Sequence, residues 1–145
     1  MLDSKNIKLL TQLRVDSRQK LTVISKKTNI PISTLFDSLK FLKHQIISHS
    51  TILLNFSELG FDVKAQIFIK CDPIFRNRLR SHLLLHKSVN NLFKINNGWD
   101  FIAETVHRNV RELDYFIESL DVFNIANTEI HYILEDIKRE GFNFE

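Results

Sequence analysis

The chain has 145 residues, of which 43% are apolar, enough for one domain of ordinary size or two small ones. No apolar run approaches the roughly 18 residues of a membrane-spanning helix, and the opening residues MLDSKNIKLL lack the pattern of a secretion signal. The single cysteine, Cys71, excludes an internal disulfide framework, so the composition favours a cytoplasmic protein.

The net charge of +3 is unevenly distributed along the chain. Residues 1–60 carry nine Lys or Arg against four acidic residues, whereas residues 61–145 carry eleven against thirteen. A basic first part joined to a slightly acidic remainder indicates that the first part meets a polyanion. An excess of this size also arises by chance, so charge alone does not decide for nucleic acid.

The first forty-five residues predict three short helices. Asp3 is the expected cap of the first helix, and the second runs from about Leu21 to Thr28, where Asn29 can adopt a left-handed conformation. The side chains expected to face inward are Ile7, Leu10 and Leu13 on the first helix and Leu21, Val23 and Ile24 on the second.

The third helix is predicted by the stretch IPISTLFDSLKFL, residues 30–42. Pro31 cannot continue the second helix, and Ser33 is the expected cap of the new one. Its buried stripe is expected to be Leu35, Leu39 and Leu42, whose spacings are four and three. Phe36 and Phe41 lie off this stripe and are expected to pack against a neighbouring element.

A β-rich segment, IISHSTILLNF, follows at residues 46–56. Two short strands around His49 would form a wing beside the three helices. The next residues, SELG at 57–60, predict a single helical turn that Gly60 ends.

From residue 61 the pattern becomes that of an α+β domain with the order βαββαβ, the ferredoxin-like arrangement. FDVKAQIFIKCD alternates like a strand, Pro73 opens a helix, and Asn97-Gly98 is typical of a tight hairpin turn. Asn109 is the expected cap of the next helix, and TEIHYILEDI at 128–137 is the expected last strand. The side chains expected to face inward on that second helix are Val110, Leu113, Ile117 and Leu120.

Three helices, a tight turn before the third, and a wing define a winged helix-turn-helix, whose third helix enters the major groove of DNA. Hydroxyl groups on its outward face can reach base edges or phosphates, and basic residues around the second helix suit the DNA backbone. The predicted DNA contacts are Arg18, Lys20, Lys26, Lys27, Ser33, Thr34, Asp37, Ser38, Lys40 and His49. The alternative is that the third helix is an ordinary amphipathic helix without a DNA ligand.

The chain resembles the Lrp/AsnC family of transcription regulators over nearly its whole length. Residues 2–42 look like the family's opening, ILLNFSELGF is similar to its linker strand, and NNGWDFI resembles the turn that precedes its third strand. The resemblance implies a DNA-binding winged helix-turn-helix (1–50), a linker strand and turn (51–60) and a ferredoxin-like RAM-type effector and oligomerisation domain (61–145). It further implies a homodimer or larger assembly, double-stranded DNA as partner, and a free amino acid as effector.

The effector site that this resemblance implies consists of Asn97, Gly98, Asp100, Asn109 and Thr128. Asn97 stands where the family has glycine, and Asn109 where it commonly has aspartate, so the carboxylate expected to hold a ligand ammonium group is missing there. Asp100 remains as a carboxylate, with capping of the hairpin turn as its alternative role. DNA binding is therefore the better supported of the two predictions.

Other chemistry is weakly indicated. His82 and His86 have the i, i+4 spacing of metal ligands but no further candidate ligands nearby, and Cys71 is expected to be a small buried apolar residue. No nucleotide-binding or nucleophile motif occurs, so no cofactor and no enzymatic activity are expected. Two alternatives stay open: a siroheme decarboxylase of the same fold, with His49, His107 or His131 at its pocket, and a nonspecific DNA-packaging protein.

Overall fold

A computed structural model describes residues 2–144. The chain forms two compact units: one contains the residues up to Leu53 together with the segment from Lys138, and the other is Leu54–Ile137. The α+β class is confirmed, while the domain boundaries at residues 50 and 60 remain a prediction. Within residues 2–144, no helix is both long and apolar enough to cross a membrane.

The first unit contains the three predicted helices: α1 (Ser4–Val15), α2 (Leu21–Thr28) and α3 (Ile32–Gln45). Asp3 caps α1, because its carboxylate accepts a hydrogen bond from the Asn6 backbone N–H at 2.8 Å. Asn29 ends α2 with a φ of 56°, the left-handed conformation that its side chain tolerates. The predicted cap at the start of α1 and the predicted end of α2 are both confirmed.

The core of this unit lies where the three helices meet. Leu9 and Ile24 are completely buried there, and Leu35 and Leu42 of α3 pack into the same cluster. The prediction for Val23 was wrong, since this side chain is exposed.

The start of α3 also differs from the prediction. Pro31 precedes the first helical residue with extended backbone angles, so Ser33 lies inside the first turn and makes no capping hydrogen bond. Pro31 fits this position because its φ is fixed near the value required and its missing N–H costs nothing at a helix start. The prediction that Ser33 caps the helix was therefore wrong.

The predicted wing is not formed: among the described residues, 46–56 contain no strand. The β-branched residues of this segment favour extended backbone, but it has no Asn-Gly or similar pair to reverse the chain between two strands. Ile52 and Leu53 are exposed along it. The one-turn helix that follows is confirmed as a 3-10 turn, Ser57–Leu59, ended by Gly60 with a φ of 80°.

The second unit has the predicted βαββαβ order. Its elements are β1 (Val63–Cys71), α4 (Arg76–Leu85), β2 (Val89–Lys94), β3 (Phe101–His107), α5 (Val110–Glu118) and β4 (Ile125–Tyr132). They form one antiparallel sheet in the order β2-β3-β1-β4. The last strand begins and ends earlier than predicted, and Leu134 lies beyond it, almost fully exposed.

Both helices of this unit cover the same face of the sheet. On that face lie Ala65, Ile67, Ile69, Phe101 and Ala103, packed against Leu79, Leu83, Leu113, Phe116 and Leu120. The prediction for Val110 was wrong, because this first residue of α5 is exposed, whereas Phe116 fills the inward position. The other face of the sheet carries no helix of this unit.

The hairpin between β2 and β3 turns at the predicted dipeptide. Asn97 has a φ of 61° and Gly98 a φ of 90°, the pair of positive values that matches the twist of a two-residue hairpin turn. The turn prediction is confirmed, and the α5 cap is confirmed with it, since the Asn109 side chain accepts a hydrogen bond from the Glu112 N–H at 3.0 Å.

His107, at the end of β3, is a polar residue inside the apolar core. It is completely buried, its ring lies 5.7 Å from that of Phe116, and neither ring nitrogen has a hydrogen-bond partner among residues 2–144. Burial lowers the pKa of His107, opposed by the Glu112 carboxylate and reinforced by His86. The folded chain therefore holds this imidazole in the neutral form.

We expect His107 to make folding sensitive to mild acid. Its folded pKa lies below the unfolded value of about 6.5, so its contribution to stability is complete above that pH and is lost as the pH falls toward the folded pKa. His107→Leu, which removes the two unpaired nitrogens at similar volume, should raise stability at pH 7.5 by about 1 kcal/mol. It should also flatten the fall in melting temperature between pH 7.5 and 5.5.

The matched control is His49→Leu, the same change at an exposed position. Thermal unfolding followed by circular dichroism measures both variants. A pH profile of His107→Leu as steep as that of the unmodified chain would contradict this role of His107.

Candidate nucleic-acid interface

The angle between α2 and α3 is set by a three-residue turn, 29–31. The Ile30 side chain is buried in the core, and its carbonyl accepts a hydrogen bond from the Ser25 hydroxyl at 2.6 Å. The Leu35 N–H then bonds to the Pro31 carbonyl and starts α3. Two elements are thus joined by a short, internally bonded turn, the arrangement of a helix-turn-helix.

One stripe of α3 points away from this core. Ser33, Asp37, Lys40 and His44 have the spacing i, i+4, i+7, i+11, lie opposite the buried Leu35, and are all exposed. We call these four residues the outward stripe. The remaining predicted contacts of α3, Thr34 and Ser38, are partly buried at its margin.

Two phenylalanines flank the outward stripe. Phe36 is 61% exposed and Phe41 is 47% exposed, so the expectation that they pack against a neighbouring element was wrong. Neither residue was among the predicted site residues, and His44 was also missed. All three could have been found by counting helical positions from Leu35, because 100° per residue places them away from the buried side.

The predicted backbone contacts lie around α2. Lys20 precedes its first turn, Lys26 and Lys27 are in its last turn, and all three are exposed. The Lys27 ammonium donates a hydrogen bond to the Gln19 side chain at 3.2 Å. These cations belong to the same compact unit as α3.

The other predicted cations occupy irregular segments. Arg18 follows α1 and is exposed, with its backbone N–H bonded to the Asp16 carboxylate at 2.9 Å, and His49 is exposed in the extended segment after α3. Arg14 is occupied differently, because its guanidinium donates to the Glu140 and Phe142 carbonyls. The Arg14 side chain therefore binds the backbone of the carboxy-terminal segment.

The predicted effector residues do not converge on one point of a single chain. Asn97, Gly98 and Asp100 lie before β3, and Thr128 pairs with Ile69 at the same end of the sheet. Asn109 lies after β3, at the opposite end, where it caps α5.

Asp100 is already engaged by groups of its own unit. One carboxylate oxygen accepts from the Arg76 guanidinium at 2.9 Å, and the other accepts from the Cys71 N–H at 2.9 Å. Its side chain is only 12% exposed. The carboxylate thus connects β1 and α4 to the start of β3. Its negative charge is already paired with the Arg76 guanidinium, without a ligand.

The remaining histidines occupy separate positions in the second unit. Within residues 2–144, no group of three His, Cys, Asp or Glu side chains is arranged to hold a metal ion. His82 bonds to the Ser119 hydroxyl at 3.1 Å. His107 lies on the helix-covered face of the sheet and His131, opposite Gln66, on the other face. Cys71 is buried as expected, and burial raises the pKa of its thiol.

The chain is similar to HTH-type transcriptional regulators of Pyrococcus species. An uncharacterised HTH-type transcriptional regulator of Pyrococcus horikoshii is 27% identical over 146 residues, covering 99% of this chain and 98% of its own. The HTH-type transcriptional regulator FL11 of Pyrococcus furiosus is 25% identical over 119 residues, covering 81% and 79%. No family model matches the chain.

Solved structures share the fold over almost all of both chains. A Neisseria meningitidis transcriptional regulator in complex with L-Met has a TM-score of 0.88 at 18% identity, covering 96% of this chain and 94% of its own. Escherichia coli AsnC has a TM-score of 0.85 at 17% identity, covering 96% of each chain.

The fold and the relatives define a helix-turn-helix transcription regulator. The fold that the resemblance in the sequence implied is confirmed, because Escherichia coli AsnC and Bacillus subtilis LrpC share it at 17% identity.

We expect Lys26 and Lys27 to determine part of the salt dependence of DNA binding. Each phosphate contact contributes about 0.9 to the slope of log K against log salt concentration. Replacing both lysines with alanine should therefore reduce the magnitude of that slope by up to about 2, which titrations at several salt concentrations measure.

Lys87 and Lys94 provide the control pair, because they are exposed and lie in the second unit. Their double replacement with alanine removes the same net charge. If log K falls with log salt concentration at the same slope in both double variants, Lys26 and Lys27 do not contact DNA phosphates.

Proposed function

We propose that the chain regulates transcription by binding specific duplex DNA through α3. The single observation that carries the proposal is the outward stripe: polar and charged side chains on one helix, opposite a leucine anchor that holds the helix rigidly. Ser33 lies in the first turn, where residues of a reading helix reach base edges. Lys40 can donate to guanine, and Asp37 can accept from the cytosine amine, which favours base contacts for that residue over phosphate.

Cations around α2 support the same placement. Lys20, Lys26 and Lys27, with Arg18 and His49, are exposed in the same unit as α3, and phosphate contacts from such residues fix the register on DNA. Thr34 and Ser38 are partly buried and would contribute at the margin of the surface. A DNA ligand also places the protein at the nucleoid.

Pairing of the sheets is the proposed basis of a homodimer. On the face without helices, Phe93, Ile102 and Phe68 form a row across three strands, since Ile102 pairs with both of the others. Phe93 is 49% exposed, and the rings of Trp99 and His131 lie 5.7 Å from that of Phe68. A two-fold dimer would present two copies of α3 to a pseudo-palindromic site, and tetramers or octamers would add further half-sites.

An amino-acid effector is a second element of the proposal. The similar Neisseria regulator was solved with L-Met. In this chain the Asp100 carboxylate is paired with Arg76, so a ligand ammonium group would have to displace that pair. The proposed effector contacts at the same end of the sheet remain Asn97, Gly98 and Thr128. Asn109 lies at the opposite end, so it would contact the effector only if another copy of the chain brought it there.

We propose no enzymatic role. The relatives that match the full length are regulators, and His107 and His131 lie on opposite faces of the sheet, which disfavours one haem pocket containing both. A visible absorption band that copurifies with the protein would favour the siroheme decarboxylase alternative. Equal affinity for all DNA sequences would favour the packaging alternative.

Ser33→Glu tests the outward stripe. A carboxylate in the first turn of α3 suits the helix dipole, so the fold should be retained, but it would face the DNA backbone. The DNA site is first selected from a random pool by the unmodified chain, with and without a panel of amino acids. We expect Ser33→Glu to bind the selected site at least a hundredfold more weakly. The matched control is Ser4→Glu in the first turn of α1, which should bind as before.

Fluorescence anisotropy and melting temperature separate binding from folding in both variants. Unchanged affinity of Ser33→Glu for the selected site would rule out this face of α3 as the reading surface.

Phe93→Lys tests the sheet face. Lysine is tolerated on an edge strand such as β2, but burying it in a dimer would leave an unpaired charge. We expect light scattering to show conversion to a smaller species at micromolar concentration and DNA affinity to fall. Ile74→Lys, at an exposed apolar position of the same unit, is the control. If light scattering gives Phe93→Lys the same mass as the unmodified chain, the dimer interface does not include this sheet face.

A further inference from the structure

Phe36 presents an exposed aromatic ring beside the outward stripe. The ring is 61% exposed and Ile32, one turn earlier, is 47% exposed, whereas Leu35 and Leu39 of the same helix pack into the core. It lies three residues after Ser33 and four before Lys40, so it is adjacent to the outward stripe on the helix surface. The ring is therefore available for apolar contact with whatever ligand the outward stripe binds.

The surroundings of Phe36 define the chemistry of that partner. Lys40 and Lys43 are exposed on the same side of α3, and the first sixty residues carry a basic excess. This surface therefore favours a polyanion, yet Phe36 itself contributes only apolar contact. In duplex DNA the major groove offers one apolar group, the C5-methyl of thymine, and phenylalanine is among the side chains that contact it.

We propose that Phe36 is a specificity-determining residue that reads the methyl group of a thymine in the major groove. The inference rests on the proposed function, since it requires α3 to lie in the groove. Phe36 belongs to the N-terminal half of α3, from which base contacts are chiefly made. Phe41 lies a turn and a half further along the helix and on the other side of the stripe, so it does not read the same base.

The test deletes the methyl group and the ring separately. In a site selected by the unmodified chain, each dT is replaced in turn by dU, which keeps the base pair and removes only the methyl. Removing one buried methyl should weaken binding about fourfold, and we expect this at one thymine per half-site. Phe36→Ala should bind the thymine site at least fourfold more weakly and should show no further loss when that dT becomes dU.

Phe41→Ala is the matched control, because it removes the same ring from the same helix. It should retain the fourfold loss at the thymine assigned to Phe36. Binding is measured by anisotropy, and light scattering checks that all variants keep the same mass.

Two results would overturn the proposal. One is that every dT to dU exchange affects the unmodified chain and Phe36→Ala equally. The other is that Phe36→Ala binds DNA normally but forms a smaller assembly by light scattering. That result would assign the ring to a contact between copies of the chain. A failure of the proposed function is distinguishable from both, because Ser33→Glu would then bind the selected DNA as well as the unmodified chain does.

Discussion

The packing of Leu35 and Leu42 against α1 and α2 is the interaction on which the proposed reading surface depends. Both leucines are completely buried, together with Leu9 and Ile24. Truncating such a side chain to alanine typically costs about 2–5 kcal/mol, a large part of the stability of so small a unit. Because the helix cannot rotate without exposing this stripe, the direction of every side chain on its opposite side is determined by the core.

The elements that could be predicted from sequence are those with a local physical cause. Asp3, Asn29 and Asn97-Gly98 each adopt the conformation that their own side chains favour, and the alternation in β1 reports a strand with one buried face. The order of the two units followed from the helical pattern of the first forty-five residues and the strand and helix pattern after residue 61, and the resemblance to Lrp/AsnC regulators agreed with it. Turn and cap features of this kind are encoded within a few residues.

The features that could not be predicted depend on contacts distant in sequence. The wing was inferred from β-branched residues, yet within the described chain residues 46–56 form no strand, and they contain no Asn-Gly or similar pair to reverse the chain. Asp100 was expected in an effector site or as a turn cap, but Arg76, twenty-four positions earlier, engages its carboxylate. For the predicted site residues, the structure establishes exposure and position, whereas their contacts with DNA or effector remain proposals.

The pairing of β1 with β4 has a consequence for how the chain acquires its fold. Ala65 lies opposite Tyr132 and Ile69 opposite Thr128, so the sheet is completed only when residues some sixty positions apart meet. The contacts that α1, α2 and α3 make with one another, by contrast, span at most about forty residues. Since native contacts close in sequence form faster than remote ones, and synthesis releases the amino-terminal residues first, the three-helix cluster should collapse before the sheet closes. A nascent chain would then carry a formed α3 before it has the sheet face that we propose as its pairing surface.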